Sequence, residues 1–395
     1  MEEITFSIFN HGQAALGGLQ ALLREFERQH KIHVHLDMIP TWSIGWTRLV
    51  QAAIYHNGPD VSEVGNTWTG DFARMEALRP FESEEIGRIS QGGQYIENVW
   101  VGGSRNENNS GEIFAIPWSG DTRVVFYYRD ILEKAGIDEA GAFKDFDRFE
   151  QTLAKLQAQS SAIPLTLPTR HSHLTIHNIA SWVWGAGGDF LTPDGTGLAF
   201  TTPEAMEGCK RYFRLRRFLS AEDHGMEESQ SNDEFWSGKA AVSLTGYWVL
   251  SDENTTPEVR GRLGAAPAPG VPFVGGHDLV VWNHTSHPAA SLELIRFLHS
   301  DEVGRVIYPS CGLPISENGW ANPPFDSGLF PVFKEALQKG RGFKGRLWGM
   351  LEKRLADVYA DIWEEIIRQP EERLDIIIET HLNELARHMQ LSMGA

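Results

Sequence analysis

Ile4, Phe6 and Ile8 alternate with Thr5 and Ser7, the period of two that turns one face of a β-strand toward a core. Leu19, Leu22, Leu23 and Phe26 then recur at helical spacing, and alternation returns at Ile32, Val34, Leu36 and Met38. Strand, amphipathic helix and strand in that order predict a β-α-β unit, with parallel strands because the helix carries the chain back. Ligands of open parallel sheets sit at the carboxyl ends of the strands. The informative positions are therefore those just after each strand: Asn10 and His11, Thr41 and Trp42, and residues 66–71, which include Asn66 and Trp68.

Near the other end, Leu351, Leu355, Val358, Tyr359, Ile362 and Ile366 form one apolar helical face. Leu374, Ile377, Ile378, His381, Leu382, Leu385 and Met389 form a second, with Pro370 between, so two antiparallel helices are expected there. Residues 106–111 read as a polar loop or hairpin tip, and the three prolines within 265–272 read as a connector. No internal repeat interrupts the pattern.

The chain has 395 residues, 41% hydrophobic, with no apolar run long enough for a membrane-spanning helix. Its length predicts about two to three domains that bury a core without disulfide staples. Thirty-five Lys and Arg against 53 Asp and Glu leave a net charge of −18, which repels nucleic acid and anionic membranes. Cys209 and Cys311 lie far apart, so no CxxC metal or redox pair is present, and one long-range disulfide or two buried thiols both remain open. The chain enters a strand pattern by Ile4 without the basic and apolar regions of an export signal. That fits either a cytoplasmic protein or one whose signal was removed and a start Met restored.

The common nucleotide and hydrolase motifs are absent: no GxxxxGK[ST], GxSxG, HExxH or post-strand GxGxxG. His33 and His35 share one strand face opposite Ile32, Val34 and Leu36, which marks them as solvent-facing. His171, His173 and His177 follow Leu167-Pro168 in a loop and helix start. No metal and no cofactor are expected. Thirteen Trp is a heavy load, since an indole N–H needs a partner when buried. Trp182, Trp184 and Trp363 read as core, whereas Trp42, Trp46, Trp68, Trp118 and Trp248 lie in or beside polar, Gly-containing loops. A flat ring there suits stacking on a sugar face, with nearby Asp, Asn and His bonding the hydroxyls.

Five ordered segments carry a family resemblance. They are Asn57-Gly58-Pro59-Asp60-Val61 with Trp68, and Gly111 to Pro117 followed by Asp121 and Phe126-Tyr127-Tyr128-Arg129-Asp130-Ile131-Leu132-Glu133-Lys134-Ala135-Gly136-Ile137. Next come WGAGGD at Trp184 to Asp189, and Phe235-Trp236-Ser237-Gly238-Lys239-Ala240-Ala241-Val242 ending at Gly246-Tyr247-Trp248. The last is Gly275-Gly276-His277-Asp278-Leu279, with Ala289 to Phe297 and Gly312-Leu313-Pro314. Together they resemble the extracellular solute-binding proteins of ABC importers, in particular the maltose-type carbohydrate-binding group. Val242 replaces the usual Met, and Arg129 stands where Asn-Lys is more usual.

The resemblance implies an α/β, periplasmic-binding-protein-like fold: two doubly wound lobes joined by a three-segment hinge. It places 1–118 and 277–318 in an amino-terminal lobe and 119–276 and 319–395 in a carboxy-terminal one. It assigns Asn10, His11, Trp42, Asn66, Trp68, Trp118 and Asp121 to the amino-terminal side or hinge of a cleft. His177, Asn178, Trp248 and the hinge residues Gly276, His277 and Asp278 would lie opposite. The implied function is binding a sugar, an oligosaccharide, without turnover, and delivering it to ABC transporter membrane subunits. A monomer, an extracytoplasmic location with the signal removed, and no nucleic-acid partner are expected. Two other readings stay open: a secreted glycoside hydrolase using Asp121 and Asp278 as its carboxylate pair, and a binding protein for a non-sugar solute.

Overall fold

The computed structural model describes residues 2–90, 95–100, 112–220, 225–250, 255–344 and 348–393, the side chains of 42, 43, 392 and 393 excepted. The expected polar tip at 106–111 lies outside the described residues. Two compact units divide the chain. The first takes Met1–Asp121, Val274–Gln338 and Gly342–Gly349; the second takes Thr122–Phe273, Lys339–Arg341 and Met350–Ala395.

The first unit is built on the predicted β-α-β. β1 (Glu2–Phe9) and β2 (Ile32–Ile39) run parallel from Glu2↔Ile32 to Phe9↔Ile39. Helix α1 (Gln13–His30) joins them and buries Ala15, Leu19, Leu23 and Phe26. β3 (Val61–Gly65) adds parallel to β1, and β9 (Val274–Val281) adds antiparallel to β3, from Val61↔Val281 to Gly65↔His277. With β4 (Ile116–Thr122), the sheet order is β2-β1-β3-β9-β4. The sheet is covered on both faces, as parallel strands require. Ile4, Phe6, Ile8, Val61, Leu279 and Val281 pack with α1 residues in one cluster. Phe9, Val64, Val280 and Trp282 join Leu49 of α2 (Trp42–Tyr55) and Phe72 of α3 (Thr69–Arg74) in another. Thr41 serves as the cap of α2, its hydroxyl accepting the Ile44 N–H at 3.4 Å.

The second unit holds β5 (Val124–Tyr128), β6 (Ile163–Thr166), β7 (Ala240–Thr245) and β8 (Leu263–Pro267) in the order β6-β7-β5-β8. β5 is antiparallel to both neighbours, and β6 and β7 are parallel. All five residues of β5 are buried. An aromatic core fills the helical layer: Trp182 meets Tyr212 at 5.3 Å, and Trp363 meets Tyr212 at 6.0 Å and Phe213 at 5.0 Å. Trp182, Trp184 and Trp363 are buried. The two C-terminal helices span Trp348–Ile366 and Leu374–Met393 and are tied by His381 to Glu365 at 2.9 Å.

Both cysteines are free, buried thiols, which removes the disulfide alternative. Burial pushes the Cys209 thiol up to about 12. The sequence-based lobe boundaries at 118/119 and 276/277 differ from the structural ones at 121/122 and 273/274. Residues 319–338 and 342–349 fall with the first unit rather than the second, where Asn98 Nδ2 donates to the Leu337 and Gln338 carbonyls at 3.2 Å and 2.8 Å.

Candidate functional site

In the first unit, β1 and β3 point the same way and β9 runs against β3, so the carboxyl ends of β1 and β3 and the amino end of β9 share one edge. Glu63 pairs with Leu279, and Gly65 with His277. Alternation along the ladder therefore turns the Glu63 and His277 side chains to the same face. His11, two residues past β1, completes the group. Its Nε2 lies 2.8 Å and 3.0 Å from the two Glu63 carboxylate oxygens, and His277 Nδ1 lies 2.5 Å from Oε1. The Phe9 N–H donates to Glu63 Oε2 at 2.9 Å.

Glu63 is fully buried, while the His11 and His277 side chains are 11% and 15% exposed. Burial alone would push the Glu63 carboxyl up, but the facing imidazoles, by charge and hydrogen bond, outweigh it. They hold the group well below the usual carboxylate range. The same edge carries Asn66, whose N–H donates to the Gly276 carbonyl at 3.0 Å, and Asp278, which accepts from the Thr69 hydroxyl at 3.1 Å. Gly276 is required where it stands: its φ is 141°, and a Cβ would lie 2.0 Å from the Ser119 carbonyl oxygen.

The second unit gathers Arg123, His177, Trp248 and Phe273. Arg123, between β4 and β5, is buried and donates from Nη1 to the Thr122 carbonyl at 3.2 Å and from Nη2 to His177 Nδ1 at 2.6 Å. Its guanidinium lies 4.6 Å from the centre of the Trp248 ring and 5.3 Å from that of Phe273, a cation–π arrangement. His177 stacks on Phe273 at 3.9 Å and 5°. Desolvation, Arg123 and His173 together push the His177 pKa well below its usual value. The imidazole is neutral, and because Nδ1 accepts from Arg123, its proton is on Nε2. Gly246 lets the chain turn against Trp248, since a Cβ there would meet the indole at 2.0 Å.

A family model described as bacterial extracellular solute-binding protein matches residues 12–305. The chain belongs to that family. Among the described residues of this solute-binding protein, no helix is long and apolar enough to cross a membrane. It is 26% identical over 292 residues to the diacetylchitobiose binding protein DasA of Streptomyces coelicolor, covering 71% of this chain and 65% of that one. It is 21% identical over 263 residues to the sn-glycerol-3-phosphate-binding periplasmic protein UgpB of Escherichia coli K12, covering 62% and 58%. The chain thus spans less than two thirds of the length of these curated relatives. Its fold is that of the sugar-binding protein MalE from Xanthomonas citri, with a TM-score of 0.80, 22% identity and 99% of each chain covered.

Against this frame the sequence-predicted site residues separate. His11, Asn66, Gly276, His277 and Asp278 share the edge of the first unit. Gly276, His277 and Asp278 were expected opposite His11, but β9 is part of the first sheet, and its pairing with β3 brings His277 onto Glu63. Asn10 is exposed and accepts the Gly12 N–H at 3.1 Å. Trp42 opens α2, with its side chain outside the described residues. Trp68 is buried against Phe9 and Trp46, at 5.9 Å and 5.3 Å.

Two further expectations are corrected. Trp118 is 1% exposed in the core, edge-on to Phe6 at 6.1 Å, with its indole N–H donating to the Leu298 carbonyl at 3.3 Å. Trp118, expected in or beside a polar loop, lies within strand β4, and its ring faces inward. Asn178 is also fully buried on the helix His173–Gly185 and donates to the Leu244 carbonyl at 3.2 Å, so it ties that helix to β7. Asp121 is half-buried at the end of the first unit's second-to-last strand in chain order. His177 and Trp248 come together in the second unit, as described.

Glu63, Arg123 and Phe273 went unforeseen. A lone Glu in a five-residue strand and an Arg between strands both read as solvated charges. Among the described residues, the histidines at 33/35 and at 171/173/177 form no cluster of potential metal donors, whereas His11, Glu63 and His277 come close enough together to do so.

Proposed function

We propose that this protein is the substrate-binding component of an ABC importer that captures a sugar, an oligosaccharide, and passes it intact to membrane subunits. It acts as an extracytoplasmic monomer. The observation that carries this reading is the Arg123–His177–Trp248–Phe273 group. It combines aromatic surface with an imidazole Nε2–H, the pairing by which a protein reads a sugar's C–H face and its hydroxyls. Membership of the solute-binding family and a relative named for diacetylchitobiose support it. The hydrolase reading loses ground because Asp278 is buried and bonded to Thr69.

A calorimetric panel of chito- and malto-oligosaccharides, monosaccharides and glycerol 3-phosphate tests the proposal. The phosphate is included because a buried arginine suits an anion and one relative is named for it. The expected result is a micromolar-range oligosaccharide ligand recovered unchanged. At about 100 times its Kd it adds roughly 2.7 kcal/mol to the folded state. Reducing ends released at a rate abolished by Asp121→Asn would make the protein a hydrolase, and binding of the phosphate alone would make it a non-sugar binder.

A further inference from the structure

We propose that His11, Glu63 and His277 bind one divalent transition-metal ion, zinc being the ion their donors match. Two imidazole nitrogens and one carboxylate oxygen are a zinc donor set. In the structure one such atom from each residue lies within 4.8 Å of the others. Tetrahedral zinc with bonds of about 2.0–2.1 Å places its ligand atoms about 3.3 Å apart. The imidazole–carboxylate contacts, now 2.8 Å and 2.5 Å, need open by less than about 1 Å to admit the ion.

The three residues come from three sequence-distant segments, and the sheet places them. The β3–β9 register turns Glu63 and His277 to one face, and His11 follows β1 directly. The Phe9 N–H holds Glu63 Oε2, the kind of outer hydrogen bond that orients a ligating carboxylate. Glu63 is fully buried, and among the described residues its ion-pair partners are these two histidines. A divalent cation held between the three donors would meet that buried negative charge directly. The partial exposure of both histidine side chains gives the ion a way in and leaves a coordination position facing solvent.

The test uses the full chain, stripped with EDTA and desalted, titrated with zinc chloride in a calorimeter, with bound metal counted by plasma mass spectrometry. One zinc per chain is expected, weakened at least tenfold in His11→Ala and in His277→Ala. Cobalt(II) should give the visible absorption of a low-coordinate site, displaced by zinc. Glu63→Gln should also weaken binding, but it alters a buried group, so the two histidine variants, checked for native circular dichroism, decide. His33→Ala, at an exposed histidine paired with Glu27, should leave the titration unchanged. No uptake by the wild type, or equal uptake by both histidine variants, would overturn the site. No sugar enters the titration, so its outcome is independent of the transport reading.

Discussion

The two units solve the burial of charge in opposite ways. In the first, a buried anion, Glu63, is met by two histidines from neighbouring segments. In the second, a buried cation, Arg123, is met by aromatic faces and a neutral histidine. The same side chain thus plays two parts. Histidine faces a carboxylate in one unit; in the other, desolvation and a guanidinium keep it uncharged. What a histidine does is set by the charge the fold brings to it, and residue type alone does not reveal it. The first arrangement ties three segments at a sheet edge; the second leaves Trp248 and His177 partly exposed beside a buried cation.

The largest expected effect breaks the first arrangement. Glu63→Ala leaves the Phe9 N–H without its acceptor and two imidazoles facing an emptied buried position. Loss of one partner of a buried charged group costs about 3–5 kcal/mol, to be read from urea unfolding of chelator-treated protein at pH 7. A loss below about 1 kcal/mol would show that the carboxylate is not the centre of that edge.

Next comes a pair of tryptophans that sharpens the contrast between site and core. Trp248→Ala should weaken solute binding by roughly 2 kcal/mol or more, as loss of an aromatic anchor does, while the unliganded protein melts near the wild-type temperature. Trp118→Ala should do the reverse, costing about 3–5 kcal/mol of stability with affinity kept in the folded fraction. Calorimetry and thermal melts on both variants separate the roles, and an interchange of the two outcomes would overturn the assignment of each ring.

The smallest effect is a slope with pH. The folded-state pKa of His177 is depressed, so the unfolded chain binds the proton first, and stability is lost as pH falls below about 6.5. The contribution is bounded by about 1.4 kcal/mol per pH unit. Glu63, also depressed, adds its loss only below the ordinary carboxylate range, near pH 4. Wild type minus His177→Gln stability should therefore fall between pH 7.5 and 5. A flat difference would show that His177 takes up a proton in the folded state as readily as in the unfolded one.

Local pattern was a good guide wherever a segment's environment is its own helix or its neighbouring strand. The first strand, α1 and β2 follow from alternation and helical spacing, and that reading puts His11 and Asn66 just past strand ends, where they stand. It failed where distant pairing decides. Glu63 sits in Val-Ser-Glu-Val-Gly, where a single acid looks solvated, and only β1 and β9 on either side bury it. Trp118, between Pro117 and Ser119-Gly120, reads as loop, yet the chain runs through it as a strand and turns the ring under Leu298.

The order of hydrophobic and polar residues by itself determined the β-α-β opening and the paired C-terminal helices, while the motif blocks pointed to the solute-binding family by resemblance. These depend on contacts within a few residues, or on backbone turns that tolerate few side chains. Only the tertiary structure decided which strand joins which sheet, and with it that β9 returns to the first unit and carries His277 to Glu63. It also decided that Arg123 is roofed by Trp248 and that Trp118 and Asn178 serve the core. Each of those outcomes depends on segments dozens to hundreds of positions apart, whose meeting is selected by the summed burial of both faces of a sheet. No window of sequence holds that sum, so the charges placed at the sheet edge become legible only once the chain has folded.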